Sequence, residues 1–305
     1  MDKQPAPLIL YVPGLLPKPE TGIHRAELFR CLREGVCRVD KHCAERLGDG
    51  SQCFDIVGWT YDFYGEHRDI ALDQEAIDSL LQQSEASEAD LAEATSIRRR
   101  MIRSIYRAAD RLPFLIPYFA DEKLEVHLCD LRRYVSNENE VADAMRRMLR
   151  IRLRAAANAG RPILLIGHSM GSVIAYDTLW QMSREKKESG KIDLFITLGS
   201  PLGQHYIQHR LLDHAVAPEK RYPDNITRWV NIAAVGELTA IDMELANDFA
   251  PMLQQGLVDS LEDLHVFNWF RLNGVLNVHA EYGYLVNKVT ASVICEWLRN
   301  VAEAS

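Results

Sequence analysis

The stretch Pro162-Ile-Leu-Leu-Ile166-Gly-His-Ser169-Met-Gly171-Ser-Val-Ile-Ala-Tyr-Asp-Thr-Leu-Trp-Gln181 decides the fold. Pro162–Ile166 is a continuous apolar run, the pattern of a strand buried on both faces of a sheet. Met170 to Gln181 reads as a helix. Between them lies Gly167-His168-Ser169-Met170-Gly171, a G-x-S-x-G pentapeptide. Composition alone produces that pattern in about one chain in ten of this length, so the five residues carry little by themselves. Their setting carries more. A serine on a sharp strand-to-helix turn is crowded by the backbone on either side, and glycines two before and two after relieve the crowding. The helix N-terminus then aims its free N–H groups and positive dipole end at any negative charge developing beside the serine. Ser169 is the candidate nucleophile, Gly167 and Gly171 shape the elbow, and the Met170 N–H is one candidate oxyanion donor.

A second donor is expected on the loop after an earlier strand. Pro7–Val12 is a fully apolar run closed by Pro13-Gly14, and the Leu15 N–H fits that place. In chains built on this elbow the acid and then the histidine follow the serine. His279 lies in Gly274-Val-Leu-Asn-Val-His279-Ala-Glu-Tyr282, a loop just before the last helix, and is the candidate base. The acid should follow the strand Arg228–Val235. Glu237 comes two residues after it, and Asp242 is the rival. His205 and His209 have the i, i+4 spacing of metal ligands but lack the HExxH pattern, so a solvated helix face is expected there and no metal.

Outward from the elbow, apolar strands alternate with helices. Strands are expected at Pro7–Val12, Cys53–Thr60, Pro162–Ile166, Leu194–Leu198, Arg228–Val235 and Val266–Phe270. Helices are expected at Ile23–Cys43, Asn137–Ala159, Met170–Gln181 and Tyr282–Val301. This is an α/β pattern with a mostly parallel, doubly wound sheet. Residues 62–122 break it. They read as polar helices, Asp73–Gln83 and Glu88–Arg111, followed by the apolar Leu112–Phe119. The expected organisation is a core of residues 1–61 and 123–305, with 62–122 as an inserted helical cap or lid.

The 305 residues are 47% hydrophobic and carry a formal charge of −8. Mild acidity speaks against a nucleic-acid partner, which usually demands a basic face. The N-terminus lacks a signal-peptide layout and no apolar run is long enough to span a bilayer, so a soluble cytoplasmic protein is expected. The basic stretch Arg98–Arg107, leading into Leu112–Phe119, leaves peripheral contact with an anionic membrane open. Six cysteines include no CxxC pair, and Cys31, Cys37 and Cys43 read as a helical set of partly buried thiols.

Taken together, these residues resemble the α/β-hydrolases of the lipase and esterase kind. Four segments carry the likeness: Leu8-Ile-Leu-Tyr-Val-Pro-Gly-Leu15, Ile166-Gly-His-Ser-Met-Gly171, Ile196-Thr-Leu-Gly-Ser-Pro201, and Asn277-Val-His279 with Tyr282. Trp229-Val-Asn231 is similar to the strand that delivers the acid in such proteins. There the acid often follows as Gly-Asp-Pro, whereas this chain reads Gly236-Glu237-Leu238, which keeps Asp242 open. The resemblance implies a serine hydrolase acting on carboxylic esters through an acyl-enzyme, without a cofactor; it names the reaction and not the substrate. The apolar Leu112–Phe119, read as an acyl-pocket lining, suggests a small lipophilic ester. A thioesterase or acyltransferase would use the same residues. A non-catalytic scaffold on this fold is the alternative of a different kind, and such proteins usually lose the serine or the histidine.

Overall fold

The computed structural model describes residues 5–111, 122–185, 190–214, 216–217, 220–240 and 242–303. Its centre is a six-stranded sheet of β1 (Leu8–Val12), β2 (Phe54–Ile56), β3 (Ile163–His168), β4 (Ile192–Leu198), β5 (Ile226–Ala234) and β6 (Ser260–Val266). The order across the sheet is β2-β1-β3-β4-β5-β6, and every neighbouring pair is parallel. Parallel strands need crossovers, and here helices cover both faces. The strand sequences show the same thing: every residue of β1 and β3 is buried.

Alternate residues serve opposite layers. On one face Ile9, Tyr11, Leu164 and Ile166 pack against Leu28, Leu32 and Val36 of α1 (Thr21–Val39) and against the C-terminal helix. On the other, Leu10, Leu165, Phe195 and Trp229 pack against Met145, Leu149, Val173 and Ile174. Cys31 and Cys43 are buried in the helical layer, and Cys37 is half-buried.

Residues 62–122, expected as an inserted cap, are largely helical among those described. Helices α2 (Ala71–Gln82) and α3 (Glu88–Ala94) contribute Ile77, Leu80 and Ala94 to the same core as α1. Arg271 ties α3 down through Asp90 at 2.7 Å and Glu93 at 2.8 Å. Next comes α4 (Ile97–Arg111), which bridges loops at the C-terminal edge of the sheet. Arg99 donates to the carbonyls of Gly236 and Leu276, and Asp110 accepts from the N–H groups of His205 and Tyr206. The apolar stretch Leu112–Phe119, expected as a pocket lining, lies outside the described residues. No helix among the described residues is long and apolar enough to cross a membrane.

Further along the chain come α5 (Glu122–Val135), α6 (Val141–Asn158) and α7 (Met170–Arg184), then α8 (Glu281–Val286) and α9 (Lys288–Glu303). Several expectations need correction. The second strand is only Phe54–Ile56 rather than Cys53–Thr60. The helix expected over Ile23–Cys43 breaks at the extended Asp40, and the one expected over Glu88–Arg111 breaks at Thr95 and Ser96. The last strand of the main sheet is Ser260–Val266 rather than Val266–Phe270. It is an edge strand with much of its surface open, so it lacks the unbroken apolar run of its neighbours, while Trp269 and Phe270 are buried from a loop. The final helix is two helices, because Asn287 is extended (φ −67°, ψ 135°). Its Oδ1 accepts from the Val289 N–H, an N-cap that restarts the helix.

Candidate active site

The strand order reverses between β1 and β3, and in open parallel sheets a crevice forms outside the strand ends at such a point. Pro13-Gly14 leaves β1 on one side of it and Ser169 leaves β3 on the other. The Ser169 N–H donates to the Leu198 carbonyl at 2.9 Å, which pins the turn to the neighbouring strand end. Its backbone is forced to φ 51°, ψ −127°. Such a conformation is costly for a residue with a side chain and persists only where surroundings over-determine it. The surroundings are tight. A Cβ on Gly171 would stand 2.1 Å from the Val12 carbonyl oxygen, and one on Gly167 would stand 2.6 Å from the Ser172 Cα. Ser172 Oγ donates to the Ser169 carbonyl at 2.5 Å and meets Ser200 Oγ at 2.7 Å, which ties the Leu198-Gly-Ser-Pro201 loop to the elbow.

Met170 is the first residue of α7, so its N–H has no partner within the helix. Gly14 packs against the serine: a Cβ there would lie 2.8 Å from Ser169 Cβ. Leu15 is half-buried in the same loop. The loop is held from outside by residues that the sequence did not single out. Trp59 Nε1 donates to the Pro13 carbonyl at 3.0 Å. Leu16, at an unusual φ of 75°, donates its N–H to Tyr64 Oη, which in turn donates to Asp130.

The structure brings His279 and Glu237 together. His279 Nδ1 stands 2.9 Å from Glu237 Oε1, though the ring does not aim its N–H squarely at that oxygen. Hydrogen bonds of this kind are often poorly aligned before substrate arrives. Glu237 is 1% exposed. Its Oε2 accepts from Tyr284 Oη at 2.8 Å, and Oε1 accepts from the Thr239 N–H at 3.3 Å. Burial pushes this carboxyl up, but the facing His279, Tyr284 and the Thr239 N–H outweigh it and hold the group below its ordinary value. Tyr284 is a partner that sequence reading missed; its Oη also accepts from the Ala234 N–H at the end of β5. Asp242 stands elsewhere, with its Cβ against Gly203 and its Oδ1 accepting from the Glu244 N–H.

His279 and Ser169 flank Gly199. A Cβ at Gly199 would lie 3.1 Å from His279 Nδ1, while the strand end just before it holds the Ser169 N–H. The arrangement therefore offers a strained hydroxyl at a helix N-terminus and, across one glycine, an imidazole backed by a buried carboxylate. His205 and His209 are both exposed on a short helix, well apart in role from these groups. Among the described residues no group of histidine, cysteine, aspartate and glutamate side chains is arranged to hold a metal ion.

A parallel sheet in this order, wrapped by helices and carrying a serine elbow after its third strand, is the α/β-hydrolase-type fold, and this chain has it. Residues 94–218 match the family model described as the PGAP1-like alpha/beta domain. That span holds α4, the elbow strand β3, Ser169, α7 and β4. No curated protein and no solved structure matches the chain.

Proposed function

We propose that the protein is a serine hydrolase of carboxylic esters, with Ser169 as nucleophile, His279 as base and Glu237 as the orienting acid. The observation that carries this is the 2.9 Å pairing of His279 with the sealed Glu237 carboxylate, set beside the strained Ser169 elbow. In the first step His279 Nε2 takes the Ser169 hydroxyl proton as Oγ bonds to the ester carbonyl carbon. The carbonyl oxygen becomes an oxyanion, held by the N–H groups of Met170 and Leu15. The C–O bond to the alcohol then breaks, and His279 returns the proton to the departing alkoxide. Water repeats the sequence on the acyl-enzyme and releases the acid and free Ser169. Glu237 keeps the imidazole oriented and stabilises its cation without taking the proton. These steps need no cofactor.

The test is turnover of p-nitrophenyl esters of graded acyl length, with labelling by a serine-directed phosphonate. The wild-type protein should turn over at least one ester and take up one phosphonate per chain. Ser169→Ala should abolish both. A folded wild-type protein with neither property would leave the fold without the chemistry and favour a scaffold role.

A further inference from the structure

Glu281 is a buried carboxylate beside the candidate site. It is 5% exposed and opens α8, two residues after His279. Its Oε1 accepts from Lys18 Nζ at 2.8 Å and meets His24 Nε2 at 3.0 Å, and its Oε2 accepts from Tyr11 Oη at 3.0 Å. These contacts join β1, the loop after it and α1 to the first turn of α8, two residues beyond the candidate base. Glu281 Oε2 also stands 3.8 Å from Nδ1 of His168, the residue before the nucleophile.

His168 is 4% exposed and sits with its ring centroid 4.8 Å from that of His279. Its Nε2 is 2.8 Å from the main-chain carbonyl oxygen of His279. A carbonyl can only accept, so Nε2 carries the proton. Among the described residues Nδ1 has no hydrogen-bond partner, and it is the bare nitrogen of a neutral ring. Burial, with His279 close by, pushes His168 down to about 3, so the ring is neutral across the working range.

The carbonyls on either side of His279 are held as well. Asn268 Nδ2 donates to Val278 O at 2.9 Å and to Ala280 O at 2.8 Å. Side-chain donors therefore grip three successive carbonyls, Val278, His279 and Ala280. Gly283 leaves the space Asn268 needs, since a Cβ there would lie 1.8 Å from Asn268 Oδ1. A loop before a helix would ordinarily show those oxygens to water.

We infer that His168 is a positioning residue for the hydrolysis: with Asn268, its Nε2–H fixes the backbone of His279 and so sets where the imidazole stands beside Ser169. The inference rests on the reading of Ser169 and His279 given above. Because His168 is covalently next to Ser169, one hydrogen bond ties the base directly to the nucleophile's own turn. The Glu281 cluster walls the ring in place from the other side. A displacement of about 1 Å at a reacting group costs on the order of a hundredfold in rate, so a single such bond matters to kcat without touching substrate.

The experiment compares His168→Leu with His168→Gln, whose amide nitrogen reaches the place of Nε2. The leucine variant should lose roughly 10- to 100-fold in kcat, with KM little changed and Ser169 phosphonate labelling slowed in proportion. Glutamine should recover most of that loss. A folded leucine variant with unaltered kcat, or a glutamine variant as slow as leucine, overturns the inference. Imidazole nitrogen spectra of the wild-type protein give a readout that survives a leucine variant that does not fold. They should show His168 as the Nε2–H tautomer with no titration between pH 4 and 9, and an Nδ1–H tautomer overturns the inference. Failure of the hydrolase reading looks different: a wild-type protein that neither turns over esters nor takes the phosphonate.

Discussion

At the scale of single residues, Glu237 is distinguished by being charged where charge is costly. A carboxylate at 1% exposure survives ionised because Tyr284, the Thr239 N–H and His279 face it. Removing its charge while keeping its shape isolates what the charge does. Glu237→Gln should lower kcat by about 10²- to 10⁴-fold, since an amide favours the wrong imidazole tautomer and leaves the cation unsupported. Asp242→Asn should stay within a few-fold of wild type, because Asp242 packs against Gly203 rather than against His279. Steady-state kinetics on one ester decide between them, and a reversed ranking would make Asp242 the acid. The sequence offered Glu237 and Asp242 as alternatives because spacing after a strand limits the acid to a loop and cannot aim a side chain. Tyr284, Asn268 and His168 were not singled out for a related reason. Their partners lie 47, 10 and 111 residues away along the chain, and no local pattern encodes such meetings.

At the scale of elements, the elbow was legible because three local requirements coincide in one pentapeptide: a buried strand, a helix start and two glycines. The approach that makes Gly171 necessary is tertiary. The end of β1 passes so close that a Cβ at Gly171 would meet Val12 O at 2.1 Å and Pro13 O at 2.6 Å. Both oxygens belong to backbone, which cannot swing aside as a side chain can. Gly171→Ala should therefore push β1 and α7 apart, at a cost of about 1–3 kcal/mol in unfolding free energy. It should also disturb the loop carrying Gly14 and Leu15. Urea unfolding measures the first effect and ester turnover the second; a variant with wild-type values for both would mean that the turn relaxes freely. Elements at the sheet edge were harder to read. β6 is open on its outer side, so the buried-strand pattern shifted the expectation onto Val266–Phe270. Helices α2 and α3 read from their polarity as part of an inserted cap, and Ile77, Leu80 and Ala94 pack in the same core as α1. A narrow apolar stripe on a polar helix is enough to dock it, and composition averages that stripe away.

At the scale of the whole molecule, buried ionisable groups tie distant layers together and make stability a function of pH in two opposed ways. His168, the last residue of β3, sets its ring against α8. Burial holds it at about 3, well below the ordinary value near 6.5. As pH falls from about 6.5 towards 3, the unfolded chain takes up a proton that the folded protein refuses, and stability is lost. Asp177, on α7, does the reverse. Burial raises it to about 6, against the help of the Leu212 N–H, Arg146 and Tyr134. Between about pH 4 and 6 the folded protein keeps a proton that the unfolded chain has released, so Asp177 costs stability as pH rises. The two windows overlap, and in the wild-type protein the two slopes offset one another there. Variants should separate them. The stability of His168→Gln minus that of wild type should fall as pH rises from 4 to 6, because the variant lacks the rising contribution. For Asp177→Asn the same difference should rise over that interval, because the falling contribution is gone. Urea unfolding at pH 4, 5 and 6 reads both differences, and slopes of the same sign for the two variants would show that these buried groups do not govern the balance.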